Sequence, residues 1–134
     1  MKLLLKVTAV FEGITGLALA VVPASVIQLI LGVSPARDAS EMFSARIFGL
    51  VLIAVAAACW LAKNDIQESI MLKVITGYNV LAMGGMLYAA LVKGVSGVGL
   101  WPAVLAHFVL LIWCVFALVR RSGFRLKPVI DKAD

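Results

Sequence analysis

The chain has 134 residues, of which 63% are hydrophobic and 14% are charged, and its formal net charge is +5. A water-soluble domain of this size needs a charged surface that this composition does not supply, whereas a lipid-facing surface needs none. The basic residues flank apolar segments and do not line one helix face, which argues against nucleic-acid binding. The composition therefore predicts a single domain embedded in a lipid bilayer.

Four apolar segments are long enough to cross a bilayer, because a helix rises about 1.5 Å per residue and the hydrocarbon layer is about 30 Å thick. We place these spans at 3–22, 42–62, 66–92 and 100–119. Glu12 lies in the middle of the first span, where a signal peptide disfavours a charge, so we expect this segment to be a transmembrane helix. The short apolar stretch after Pro23 predicts a helix lying in the membrane interface.

The spans predict an all-α, polytopic membrane protein: a four-transmembrane-helix up-down bundle with a short interfacial helix after the first span. Four crossings place both termini on one side of the membrane. Basic residues are concentrated on that side, so the positive-inside rule predicts cytoplasmic termini and a basic cytoplasmic tail at 120–134. We expect the bacterial inner membrane. The basic residues assigned to the cytoplasmic side are Lys2, Lys6, Lys63, Lys73, Arg120, Arg121, Arg125, Lys127 and Lys132, against Arg37, Arg46 and Lys93 on the other.

Small residues in the spans predict where helices meet, because close backbone approach drives helix association in lipid. Gly13 and Gly16 lie in the first span, Gly49 lies in the second, and Gly84 and Gly85 lie with Gly77 in the third. We expect these glycines to serve packing. Cys59 and Cys114 lie in apolar runs without a metal-binding or redox spacing, so we interpret them as packed thiols that form no disulfide.

Each span also carries one strongly polar side chain in its middle or outer half: Glu12, Arg46, Asn79 and His107, with Tyr78 beside Asn79. An ionisable residue at the bilayer centre costs about 2.5–3.5 kcal/mol or more, so each one requires a partner. The distribution predicts a polar cluster in which these five side chains line a small cavity. Such a cavity could bind an amphipathic ligand, a lipid or a quinone, or pass a proton between Glu12 and His107.

Each polar residue also has a purely structural interpretation. Arg46 either extends to the headgroups, or pairs with a nearby acid, or faces inward. Asn79 serves as a hydrogen-bonding contact between helices. His107 sits neutral with one ring nitrogen bonded to a carbonyl, and Glu12 hydrogen-bonds Asn79 or the backbone. We predict no catalytic residue, no metal site and no cofactor, because no nucleophile or ligand set accompanies Glu12 and His107, so an enzyme is not favoured.

Several short motifs resemble those of small four-helix bacterial inner-membrane proteins of the DoxX-like and related families. They are ARIFG at 45–49, CWLA at 59–62, the pair Tyr78 and Asn79, and Trp101, His107 and Trp113. Some DoxX relatives are subunits of quinone-linked oxidoreductases, so the resemblance implies a helical bundle that accompanies other proteins. We therefore expect a structural or accessory subunit of a larger membrane complex, with protein partners or further copies of itself in the bilayer. The alternative is a binding or transport protein for a lipid or quinone.

Overall fold

The computed structural model describes residues 2–32, 39–62 and 68–124. Five helices account for almost all of them, and no strand occurs in these ranges. They are α1 (Lys2–Val21), α2 (Pro23–Leu31), α3 (Ala39–Ala62), α4 (Glu68–Leu91) and α5 (Leu100–Phe124). The predicted all-α fold is confirmed.

Four of these helices, α1, α3, α4 and α5, are long and apolar enough to cross a membrane. Their bounds differ from the predicted spans by a few residues. α3 begins three residues earlier than predicted, and α5 continues into the segment that we predicted to be a tail. The rest of that tail, together with Arg37 and Lys63, lies outside the described residues.

The long helices alternate in direction. One apolar cluster contains residues from the start of α1, the end of α3, the start of α4 and the last part of α5, as an up-down bundle requires. Its fully buried members are Leu4, Leu5, Cys59, Leu72, Ile75 and Cys114. Lys2 and Arg120 therefore lie at the same end of the bundle. The side of the membrane that this end faces stays a prediction.

The helices associate as two close pairs, α1 with α3 and α4 with α5, and the backbones stay farther apart between the pairs. Gly16 and Gly49 let α1 and α3 touch through their backbones. A Cβ atom added at Gly16 would lie 2.6 Å from the carbonyl oxygen of Gly49, and a Cβ atom added at Gly49 would lie 2.6 Å from the carbonyl oxygen of Gly16. The packing role predicted for these two glycines is confirmed.

The glycines of α4 behave differently. A Cβ atom added at Gly77, Gly84 or Gly85 would meet no described atom within 4 Å. These positions face outward together with Leu81, which is 77% exposed. The prediction that they pack against the other spans is therefore wrong for the described part of the chain.

The short helix α2 packs at the opposite end of the bundle from Lys2 and Arg120. Pro23 occupies its first turn, where the missing amide proton costs nothing, and Gly32 ends it with a positive φ of 71°. The N–H of Gly99 donates to the carbonyl of Leu29 at 2.8 Å, which attaches α2 to the loop before α5. The predicted short helix after the first span is confirmed.

Candidate functional site

The buried face of α1 contains two polar residues one turn apart. Thr8 is 0% exposed and Glu12 is 1% exposed. The two residues continue a stripe of buried positions that begins with Leu4 and Leu5 and runs on to Gly16. Because these positions recur every three or four residues, the helical period places both polar side chains in the interior of the bundle.

A hydrogen bond joins Glu12 to α4. The hydroxyl of Tyr78 donates to Oε2 of Glu12 at 2.8 Å, across 66 positions of sequence. Tyr78 is half-buried, and its ring extends from α4 towards α1 to reach the carboxyl group. This bond gives the acidic residue one of the partners that its depth in the membrane requires.

A second set of hydrogen bonds joins α4 to α5 and defines the orientation of the Asn79 and His107 side chains. Nδ2 of Asn79 donates to the carbonyl of Ile75 at 2.8 Å, and Nδ1 of His107 lies 2.9 Å from Oδ1 of Asn79. The carbonyl of Ile75 can only accept, so the amide nitrogen of Asn79 must face it and the amide oxygen must face His107. Nδ1 of His107 therefore carries the proton of this hydrogen bond, and in the neutral form of the ring Nε2 is an acceptor.

Aromatic rings surround the imidazole. The ring of Phe11 stands edge-on to His107 with centroids 5.7 Å apart, and the ring of Tyr78 does the same at 5.8 Å. Phe11 precedes Glu12 on α1, so α1, α4 and α5 all contribute to one compact group. We call Thr8, Glu12, Tyr78, Asn79 and His107 the polar cluster.

The hydrogen bonding of the polar cluster is incomplete. Oε1 of Glu12 and Oγ1 of Thr8 are both buried, and neither has a hydrogen-bond partner among the described residues. No basic side chain in the described ranges forms an ion pair with Glu12. Each unpaired buried polar group costs about 1–3 kcal/mol. These two oxygen atoms are therefore where a bound polar group would be stabilised.

Sequence reasoning named four of the five members of the polar cluster and missed Thr8. In the sequence, only the position of Thr8, one turn before Glu12 on the same helix face, indicates that it belongs to the polar cluster. Its residue type gives no indication, because a threonine in an apolar helix usually bonds its own backbone. Thr15 does so, donating to the carbonyl of Phe11 at 2.9 Å. The fifth residue that we predicted for the cavity, Arg46, is exposed on α3. The structure does not bring it to the polar cluster.

An apolar groove of about 380 Å³ lies beside the polar cluster, between α1 and α5. Phe11 forms part of its wall, and the same ring contacts His107 of the polar cluster. Val7, Leu105 and Val109 line it as well. Phe11 therefore links the groove, which could hold the apolar part of an amphipathic molecule, to the polar cluster.

The described residues contain no group of three histidine, cysteine or acidic side chains that could hold a metal ion. Cys59 and Cys114 are fully buried and free. Both pack in the apolar cluster with Leu72 and Ile75, as the sequence predicted. Comparison with known protein families, with curated proteins and with solved structures finds no match to this chain. The resemblance to DoxX-like proteins stays a prediction.

Proposed function

We propose that this multi-pass membrane protein binds a small amphipathic ligand through the polar cluster. The observation that carries the proposal is Glu12, which is 1% exposed and has one oxygen bonded to Tyr78 and the other without a partner in the part of the chain that the structure describes. A structural hydrogen bond between α1 and α4 needs only one acceptor, and a neutral side chain would supply it at lower cost in lipid. Lipids and quinones are the ligands that the sequence suggested. Transport across the membrane is the natural extension of such binding.

Native mass spectrometry of the protein released from a mild detergent tests this proposal. We expect a bound molecule on the wild-type chain, and we expect it to be lost from Glu12→Gln and from Thr8→Val. Two matched controls should retain it. Thr15→Val removes a hydroxyl that is satisfied within α1, and Glu41→Gln removes an exposed carboxylate from the first turn of α3. Equal occupancy in the wild type and Glu12→Gln would overturn the proposal.

We also propose a second function, that of an accessory subunit in a larger membrane complex. The outward face of α4 supports it, because a Cβ atom added at Gly77, Gly84 or Gly85 would contact no other described part of the chain within 4 Å. Small residues on a membrane helix favour close contact with another helix over contact with lipid chains. Gly84→Leu should leave the monomer folded, since the added side chain meets no described neighbour, but should reduce co-purification of a partner protein. Unchanged co-purification after this substitution would contradict the second function.

The proposed location is the bacterial inner membrane with both termini in the cytoplasm. It rests on the excess of basic residues at the end of the bundle that contains Lys2, Lys6, Arg120 and Arg121. A reporter enzyme that is active only in the periplasm, fused after residue 134, should be inactive. The same reporter inserted after Lys93 should be active. The reverse result would contradict the proposed orientation.

A further inference from the structure

We propose that the polar group bound by Glu12 is positively charged, so that the ligand is a lipophilic organic cation such as an alkyl- or arylammonium ion. This inference rests on the proposed binding function and narrows the class of ligand. It follows from a count of hydrogen-bond donors and acceptors in the polar cluster, from the charges around that cluster and from the apolar groove beside it.

Three donors of the polar cluster are already engaged. The hydroxyl of Tyr78 donates to Glu12, the amide of Asn79 donates to the carbonyl of Ile75, and Nδ1 of His107 donates to Asn79. Among the described residues, Oε1 of Glu12 and the hydroxyl of Thr8 have no hydrogen-bond partner. The hydroxyl can donate or accept, whereas Oε1 of the Glu12 carboxylate can only accept. A ligand that meets this carboxylate must therefore donate hydrogen bonds to it.

The charges around the polar cluster lead to the same class of ligand. Within the described residues, Glu12 is the one member of the polar cluster with an acidic side chain, and no lysine or arginine pairs with it. A phosphate or carboxylate ligand would bring a second negative charge to the same buried place, where like charges repel strongly. A quinone carbonyl accepts hydrogen bonds and donates none, so it would leave Oε1 of Glu12 unpaired. An ammonium group supplies both the missing charge and the missing donors.

The surroundings of Glu12 suit the remainder of such a molecule. The ring of Phe11 lines the apolar groove of about 380 Å³ and contacts His107, and the ring of Tyr78 contacts His107 as well. Aromatic faces attract cations through their quadrupole, most strongly where water is excluded. The groove would hold the hydrocarbon part of the ligand while its ammonium group reaches Oε1 of Glu12.

Three probes with one ring system and different charges test the inference: naphthylethylammonium, naphthylethanol and naphthylacetate. Binding is measured by equilibrium dialysis against the full chain in nanodiscs of zwitterionic lipid, and empty nanodiscs correct for partitioning. We expect the ammonium probe to bind about tenfold or more tightly than the alcohol, and the acetate to bind least. Glu12→Gln should abolish this preference, Glu12→Asp should retain it, and Glu41→Gln should match the wild type. Thermal unfolding of each variant verifies that it is folded.

The outcomes separate this inference from the function on which it rests. If the alcohol binds as tightly as the ammonium ion and both depend on Glu12, the ligand is not a cation but the proposed function stands. If no probe binds and native mass spectrometry finds no bound molecule on the wild type, both are overturned. If the ammonium probe binds as tightly to Glu12→Gln as to the wild type, Glu12 does not recognise the charge of the ligand and the inference is overturned.

Discussion

Replacing Gly16 by alanine should destabilise the bundle, although alanine is the better helix former. The new Cβ atom would lie 2.6 Å from the carbonyl oxygen of Gly49, 2.9 Å from the backbone nitrogen of Ile53 and 3.0 Å from a side-chain carbon of Ile53. The first two of these atoms belong to the backbone of α3, so no side-chain rotation can relieve the contact. To restore an ordinary 3.4 Å contact, α1 and α3 must separate by about 0.8 Å at this point.

The cost of that separation can be estimated from the packing that it disturbs. A gap of 0.5–1 Å forfeits about a quarter to a half of the dispersion energy of each contact, and α1 and α3 form the closest helix pair of the structure. Overpacked sites typically lose about 1–3 kcal/mol, against a gain of about 0.5–1 kcal/mol from the helix propensity of alanine. We therefore expect Gly16→Ala to lower the free energy of unfolding by about 1–2 kcal/mol.

The assay is reversible unfolding in mixed micelles, followed by circular dichroism as the fraction of denaturing detergent increases. Gly13→Ala is the matched control, because its Cβ atom would lie 3.6 Å from that of Ala56, which is an ordinary contact. The control should be as stable as the wild type or slightly more stable. If Gly16→Ala and Gly13→Ala have the same stability, the backbone contact between α1 and α3 does not exist as described.

Three further predictions concern other parts of the chain. Tyr78→Phe removes the partner of the carboxyl group of Glu12 and should cost about 1–3 kcal/mol in the same unfolding assay, whereas Tyr88→Phe at an exposed position should cost less than about 0.5 kcal/mol. Gly97→Ala places a Cβ atom against backbone atoms of α2, so amide hydrogen exchange should accelerate in Pro23–Leu31 and stay unchanged in α4. Cys114 is 0% exposed, so a maleimide should label it only after unfolding. The first prediction is contradicted if the two tyrosine variants lose the same unfolding free energy. The second is contradicted if hydrogen exchange in Gly97→Ala accelerates equally in all helices, and the third if maleimide labels Cys114 fully in the folded chain.

Hydropathy predicted the helices well because lipid allows few alternatives. Backbone groups in hydrocarbon must bond within their own segment, so an apolar run of about 20 residues becomes a helix with predictable bounds. The same reasoning placed Glu12, Asn79 and His107 inside the bundle, since their polar groups are too short to reach water from mid-membrane. For Arg46 the prediction of a place in the cavity failed, because an arginine side chain is long enough to extend to the headgroups. The structure shows it exposed.

Other features depend on distances between helices that no sequence pattern contains. The spacing of small residues did not distinguish Gly16, which touches the backbone of α3, from Gly84, which has no described neighbour within 4 Å. Thr8 was missed for a related reason. A threonine in a helix commonly satisfies its hydroxyl on its own backbone, and only the three-dimensional arrangement reveals that Thr8 does not.

The position of the polar cluster predicts how a ligand should affect stability. Thr8 and Glu12 belong to the pair α1–α3, whereas Tyr78, Asn79 and His107 belong to the pair α4–α5, and the backbones lie farther apart between the pairs than within them. A ligand that bonds to Glu12 while its apolar part contacts α5 would hold the two pairs together. At 100 times its dissociation constant it should raise the free energy of unfolding by about 2.7 kcal/mol, provided that it binds only the folded chain. A ligand that binds at Glu12 without raising this stability would have to bind the unfolded chain equally well, which contradicts a site that needs residues of both helix pairs.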